Sequence, residues 1–131
     1  MAKEKKPIII KKPWGHEEIV WQHGQTTFKI LHIRKGEETS LQYHDEKNEV
    51  AIPLDDNCSI RYGGTRNHLL DIDEDPITEY DVSCNRGEVH TIHAGMIHQF
   101  RADRGDTQIA ELSNGTDLDI VRISDKYKDK R

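Results

Sequence analysis

Short runs of β-branched or alternating apolar residues recur about every ten residues along this chain, and clusters of Gly, Asn and Asp separate them. No segment carries a long stretch with helical periodicity. This pattern predicts an all-β sandwich or barrel. The runs that we expect to form strands are residues 17–21, 26–34, 40–43, 49–54, 59–62, 67–71, 78–83, 89–92, 98–101, 107–113 and 119–123.

Composition limits the size of the fold and the kind of partner. With 131 residues, 34% of them hydrophobic and 33% charged, the chain can build one modest core, so we expect a single domain. The net charge of -5 repels nucleic-acid phosphates, which argues against a nucleic-acid binder. No apolar run approaches the roughly 20 residues that cross a bilayer, and the first residues lack a signal-peptide pattern. We therefore expect a cytoplasmic protein without a membrane partner.

The sequence contains two cysteines, Cys58 and Cys84, and eight histidines. The cysteines have neither a C-x-x-C spacing nor a second pair, which predicts two buried, reduced thiols and no zinc knuckle. Histidine is the commonest metal ligand in proteins, so the histidine content directs attention to metal sites.

Possible metal donors are concentrated in residues 36–49. Residues two apart on a strand share a face, so Gln42 and His44 are expected to project together. A turn after His44 would return Glu49 on the next strand. A second stretch, residues 87–98, could supply a fourth donor if the sheet closes on itself. Imidazole, carboxylate and amide donors suit a divalent Zn, Mn, Fe, Co or Ni ion.

These two stretches resemble the paired motifs of the cupins. Gly36-x5-Gln42-x-His44-x4-Glu49 is similar to the first cupin motif, with Gln in place of its first His, and Gly87-x5-His93-x-Gly95-x2-His98 is similar to the second, with His at its usual Pro. Within the cupins, the chain resembles the mannose-6-phosphate isomerase domain of type II enzymes. The segments that carry this narrower resemblance are Pro13-Trp14-Gly15, Lys29, Ser40-Leu41-Gln42-x-His44 and Asp119-Ile-Val-Arg122-Ile-Ser-Asp125-x-Tyr127.

The resemblance implies a double-stranded β-helix, a jelly-roll barrel of two facing sheets. We expect one cupin barrel over residues 12–127, with residues 1–11 as a tail or added strand and residues 128–131 as a second tail. In the type II enzymes this domain follows a mannose-1-phosphate guanylyltransferase, and this sequence contains no such part.

The resemblance also implies a metal site and a reaction. The family's ligands fall on Gln42, His44, Glu49 and His98, which would hold one divalent ion: zinc is the first choice, and Mn, Ni, Co or Fe are alternatives. The implied reaction is aldose–ketose isomerisation of a sugar phosphate through an enediolate, with mannose 6-phosphate as the substrate of the family.

Three further residues are candidates for the chemistry. Lys29 matches a family lysine and could bind phosphate or donate a proton, and Glu111 in a late strand is a candidate base. The residue after the last ligand is commonly Arg in the family but Gln99 here, so Arg101, on the same strand face, is expected to compensate. Glu46 stands in a segment where the family carries histidines, and we expect it to add negative charge beside the metal.

Two other functions remain open. One is a non-catalytic cupin that binds a sugar or nucleotide sugar, and the other is a different metal-dependent cupin enzyme, such as an iron oxygenase. Gln42 argues against the oxygenase, because most cupin dioxygenases carry a second His there. We also expect a homodimer in which the apolar run Ile8-Ile9-Ile10 adds to the sheet of the partner.

Overall fold

The computed structural model describes residues 6–65, 80–115 and 120–124, and within them the chain forms strands and no helix. The described residues therefore include no helix that could span a membrane. The strand expected at residues 67–71, and the first residues of those expected at 78–83 and 119–123, lie outside the described ranges. The strands are β1 (Ile8–Lys12), β2 (Gly15–His23), β3 (Thr26–Ile33), β4 (Leu41–His44), β5 (Asn48–Pro53), β6 (Ser59–Thr65), β7 (Tyr80–Ser83), β8 (His90–Ile92), β9 (Met96–Arg101), β10 (Thr107–Asn114) and β11 (Ile120–Ser124).

The strands form two antiparallel sheets. One has the order β1-β2-β3-β10-β5-β8, and the other has the order β11-β4-β9-β6-β7. From β4 onward the chain alternates between the sheets, except that β6 and β7 are neighbours in the same sheet, as in a double-stranded β-helix. The all-β jelly roll expected from the sequence is thus confirmed.

Alternation along the strands decides what enters the barrel. On β3, Leu31 and Ile33 are buried while His32 between them is half-buried, and Ile109 on β10 joins them in the core. Phe100 packs into the same cluster from the other sheet. Cys58 and Cys84 are also buried there as free thiols, as the sequence predicted.

Gly15 permits the close approach of β2 to β3. A Cβ at this position would lie 1.8 Å from the backbone oxygen of His32, which no side chain tolerates. Gly15 comes directly after Trp14, which is buried and forms part of the wall of the central cavity. Glycine is therefore required where the chain enters the first long strand.

The N-terminal segment forms an edge strand in its own chain. β1 pairs with β2 in antiparallel register, with Ile8 opposite Ile19. Ile8 and Ile9 remain 59% and 55% exposed in this arrangement. The added strand therefore leaves apolar surface in solvent, and its exchange with a partner copy stays a prediction.

Candidate metal centre

Three side chains that the sequence pattern selected converge inside the barrel. His44 ends β4, Glu49 lies on β5 of the opposite sheet, and His98 lies on β9. All three are buried, and one potential ligand atom of each lies within 4.8 Å of the others. Residues far apart in the chain thus form a compact set of two imidazoles and one carboxylate, which suits a divalent transition metal.

Gln42 lies beside this set. Its backbone is paired opposite His98, and its side chain lines the cavity that His44 and Glu49 also line. The hydroxyl of Ser40 donates a hydrogen bond to the Gln42 amide oxygen over 2.6 Å. An amide oxygen has two lone pairs, so this bond leaves one lone pair for a metal. The structure therefore places Gln42 on the cavity wall next to the three converging side chains.

His98 and Glu49 contact each other in a way that calls for a cation. The Nδ1 atom of His98 lies 2.9 Å from the Met96 carbonyl oxygen, to which it can only donate, so this bond keeps the proton on Nδ1. Nε2 then faces Glu49 Oε1 at 3.0 Å. Within the described residues, neither Nε2 nor the Glu49 oxygens make a hydrogen bond of good geometry. A proton or a metal ion between them would satisfy both groups.

The electrostatics of the pair agree with this geometry. Burial and the nearby Glu111 carboxylate raise the pKa of Glu49 to about 7. Burial by itself lowers the pKa of His98, but the adjacent Glu49 outweighs burial and the net shift is upward. A buried carboxylate that lacks full compensation is the kind of group that a bound cation stabilises, so the residues present fit a metal ion.

Lys47 is a member of the site that sequence reasoning missed. Its ammonium group is 3.2 Å from Glu111 Oε1 and 3.5 Å from Glu49 Oε2, and its side chain is only 3% exposed. Asp45 and Glu46, in contrast, point into solvent. Glu46 therefore does not add the negative charge beside the metal that the sequence suggested. The two-residue spacing from Lys47 to Glu49 was the available signal, since such residues share a face on an extended chain.

Lys29 and Glu111 both belong to the site. They are opposite each other in the β3–β10 register, and Lys29 Nζ is 3.6 Å from Glu111 Oε1 and 3.3 Å from Glu17 Oε2. Burial raises the pKa of Glu111, but Lys29 and Lys47 more than offset it and hold that pKa far below its usual range. Glu111 is thus an ionised carboxylate between two ammonium groups. Glu17, which sequence reasoning also missed, completes the network.

The structure does not bring Arg101 to this site. Because side chains alternate along β9 and His98 points inward, Gln99 and Arg101 point to the other face of the sheet. Gln99 is buried there and donates from Nε2 to the Thr39 carbonyl over 2.8 Å. Arg101 forms an ion pair with Glu38 at 3.2 Å. The expectation that Arg101 replaces a substrate-facing charge lost at Gln99 is therefore corrected, since neither residue faces the cavity.

Comparison with known proteins defines the fold. No protein-family model matches the sequence, and no curated protein matches it at a significant level. Among solved structures, the capsular polysaccharide assembling protein CapF from Staphylococcus aureus superposes with a TM-score of 0.71 and 18% identity, over 93% of this chain and 35% of CapF. A recombinant oxalate oxidase superposes with a TM-score of 0.59 and 15% identity, over 76% of this chain and 46% of the oxidase.

A third neighbour is an uncharacterized conserved protein with a double-stranded β-helix domain from Klebsiella pneumoniae. It superposes with a TM-score of 0.58 and 10% identity, over 96% of this chain and 90% of that chain. This chain thus spans about a third of CapF and just under half of the oxalate oxidase. At these identities the likeness establishes the fold alone, a double-stranded β-helix.

Proposed function

We propose that this protein is a metal-dependent aldose–ketose isomerase of the mannose-6-phosphate isomerase type. The observation that carries the proposal is the convergence of His44, Glu49 and His98 at an open cavity. The buried ammonium groups of Lys29 and Lys47 line the same cavity as His44 and Glu49. Such an arrangement combines a metal site with fixed positive charge, which is what proton transfer next to a carbonyl group requires.

The metal would be held by His44, Glu49 and His98, with Gln42 as the fourth ligand. Two imidazoles, a carboxylate and an amide oxygen suit zinc first, and Mn, Ni, Co or Fe as alternatives. When bound, the ion supplies Lewis-acid polarisation of the substrate's carbonyl and hydroxyl oxygens.

The reaction moves one proton between neighbouring carbons of the open-chain sugar. A base takes the C2 proton, the C2–H electron pair becomes the C1–C2 double bond, and the carbonyl electrons move to O1. The proton of the O2 hydroxyl passes to O1, and return of the first proton to C1 gives the ketose. The chain must therefore supply a base within the cavity and positive charge near the developing enediolate.

Two carboxylates of the cavity, Glu111 and Glu17, are not metal ligands, and we assign them different roles in the reaction. Glu111 is a weak base, because Lys29 and Lys47 hold its pKa far below the operating pH. Its role is to fix the two ammonium groups in the cavity wall, where they stabilise negative charge on the substrate. Glu17 lines the same cavity at 3.3 Å from Lys29, and we assign the proton transfer to it.

The cavity supports a small carbohydrate as substrate. Its volume is about 80 Å³, below the ~300–1,000 Å³ of sites that enclose a whole ligand, so the reacting end of a sugar would enter it and the rest of the sugar would lie at the open mouth. Its walls carry carboxylate, ammonium and hydroxyl groups that suit sugar hydroxyls. The name of the Staphylococcus aureus neighbour refers to polysaccharide assembly, which is consistent with a carbohydrate ligand on the same fold.

The test is conversion of mannose 6-phosphate to fructose 6-phosphate by zinc-loaded protein in D2O, followed by NMR. We expect turnover together with solvent deuterium at C2 of the recovered aldose. Glu17→Gln should reduce both by about 100-fold or more. Glu18→Gln is the matched control, because Glu18 bonds His32 on the half-exposed outer side and should retain activity. Metal binding without turnover or exchange would favour the non-catalytic binding module, and dioxygen consumption with iron would favour an oxygenase.

A further inference from the structure

We infer that Lys12 and Arg122 form an anion subsite at the mouth of the cavity. The subsite would take the phosphate of the sugar substrate and leave the carbonyl end of the sugar directed at the metal centre. The identity of the substrate rests on the proposed function, but binding of an anion by these two residues can be measured independently of turnover.

The interior of the cavity is a poor place for a phosphate. Glu17, Glu49 and Glu111 all face it, and the two interior ammonium groups, those of Lys29 and Lys47, already lie 3.2 to 3.6 Å from these carboxylates. A phosphate dianion that entered here would meet three carboxylates and would have to separate buried ion pairs, which costs more than it gains. Lys29, which the sequence suggested as a phosphate ligand, is therefore committed to Glu17 and Glu111.

Arg122 is directed at the mouth from the five-stranded sheet. In the β11–β4 register, Ile120 is opposite His44 and Arg122 is opposite Gln42. Residues that pair across antiparallel strands share a face, so Arg122 lies on the cavity side, as Gln42 and His44 do. Arg122 lines the cavity and is itself exposed. A guanidinium group at such a rim can bind a phosphate through two parallel hydrogen bonds.

Lys12 reaches the same mouth from the six-stranded sheet. It is the last residue of β1, it lines the cavity, and its side chain is 27% exposed. Its ammonium is 3.9 Å from Glu17 Oε1, a looser contact than the 3.3 Å between Lys29 and Glu17. The mouth thus carries one cation from each sheet, while the carboxylates lie deeper. This separation of charge would orient a molecule that has an anionic group at one end and a neutral polar group at the other.

The experiment measures binding of inorganic phosphate and of mannose 6-phosphate to zinc-loaded protein by calorimetry. We expect Lys12→Gln and Arg122→Gln each to lower the affinity for both ligands by about tenfold or more, because each removes a charge-assisted contact. The double variant should lower the affinity further. Binding of unphosphorylated mannose should not change, and the KM for mannose 6-phosphate should rise much more than kcat falls.

Lys11→Gln and Arg101→Gln are the matched controls. Lys11 is the exposed neighbour of Lys12, and Arg101 pairs with Glu38 away from the cavity, so both variants should bind phosphate as the wild type does. Metal content and far-ultraviolet circular dichroism of every variant establish that it is folded and loaded.

The outcomes separate the subsite from the isomerase activity. Phosphate binding that depends on Lys12 and Arg122 supports the subsite even if no sugar phosphate is turned over. A second outcome is that the wild type turns over the sugar phosphate and that the folded double variant has the same phosphate affinity and the same KM. This result would overturn the subsite but would still support the isomerase activity. Phosphate binding that requires the metal but ignores both substitutions would also overturn the subsite.

Discussion

Lys29 and Glu111 lie directly opposite each other on neighbouring strands, and their charged groups meet 3.6 Å apart inside the barrel. Each also contacts a second buried partner: Lys29 contacts Glu17, and Glu111 contacts Lys47. A line of alternating charges thus runs from the cavity wall to Glu49 of the candidate metal centre. These groups are buried at positions where a jelly roll ordinarily places apolar side chains. Burial of charged groups costs free energy, and such departures from ordinary packing are expected at functional sites.

Removal of the metal should lower the stability of the fold. Metal at a hundred times its dissociation constant adds about 2.7 kcal/mol when it binds only the folded state. We expect a chelator to lower the melting temperature and excess zinc to restore it, with one ion per chain by elemental analysis. His98→Ala should abolish the response to zinc, whereas His93→Ala, at an exposed position of the same motif, should retain it. A melting temperature that ignores both treatments would contradict the metal centre.

Gln42 should contribute to metal affinity through its amide oxygen. Gln42→Leu is expected to weaken zinc binding by about tenfold or more, and Ser40→Ala, which removes the hydroxyl that orients the amide, should produce a smaller loss. Competition with a chromophoric chelator measures both effects. Tyr43→Phe, at the intervening strand position, is the control and should leave the affinity unchanged. Equal affinity in Gln42→Leu and the wild type would remove Gln42 from the ligand set.

Glu111→Gln should be strongly destabilising. It leaves the ammonium of Lys47 and part of the charge of Lys29 buried without their shared carboxylate, and breaking a buried pair in this way costs about 3–5 kcal/mol. Urea denaturation of the metal-loaded protein measures the loss. Glu38→Gln, which breaks the partly exposed pair with Arg101, should cost about 1 kcal/mol or less. Similar losses in the two variants would argue against a charged network in the core.

Gly15→Ala and Gly24→Ala should differ in their effect on folding. The added methyl group at Gly15 would overlap the His32 carbonyl oxygen, so β2 and β3 could not keep their register. The methyl group at Gly24 meets nothing within 4 Å and adds only the strain of a positive φ, about 1–2 kcal/mol. Thermal melting should show a folded Gly24 variant and an unfolded or severely destabilised Gly15 variant. A Gly15 variant as stable as the wild type would contradict the described β2–β3 contact.

The edge strand β1 should take part in a homodimer. Ile8 and Ile9 are more than half exposed on a sheet edge that no other described strand pairs with, and addition to a second copy would cover them. Light scattering at micromolar concentration should show a dimer, and removal of residues 1–10 should give a monomer of lower stability. Observation of a monomer in the full chain, with no loss of stability on truncation, would count against this prediction.

The sequence by itself determined the fold class and three residues of the candidate metal centre. Strand alternation and turn residues are local properties, so an all-β sandwich or barrel could be predicted from them. The jelly roll and the selection of His44, Glu49 and His98 came from the resemblance of two sequence stretches to the cupin motifs. The shared face of Gln42 and His44 followed from the same alternation.

Only the tertiary structure decided which other charged side chains join the site. Lys47 and Arg101 are both near expected ligands in the sequence, but the turn before β5 directs Lys47 inward, whereas alternation from His98 directs Arg101 outward. The contacts of Glu17 with Lys29, and of Lys29 with Glu111, depend on the register between strands that are distant in the chain. Register and closure arise from packing of the whole barrel, because each strand's local pattern is compatible with several pairings.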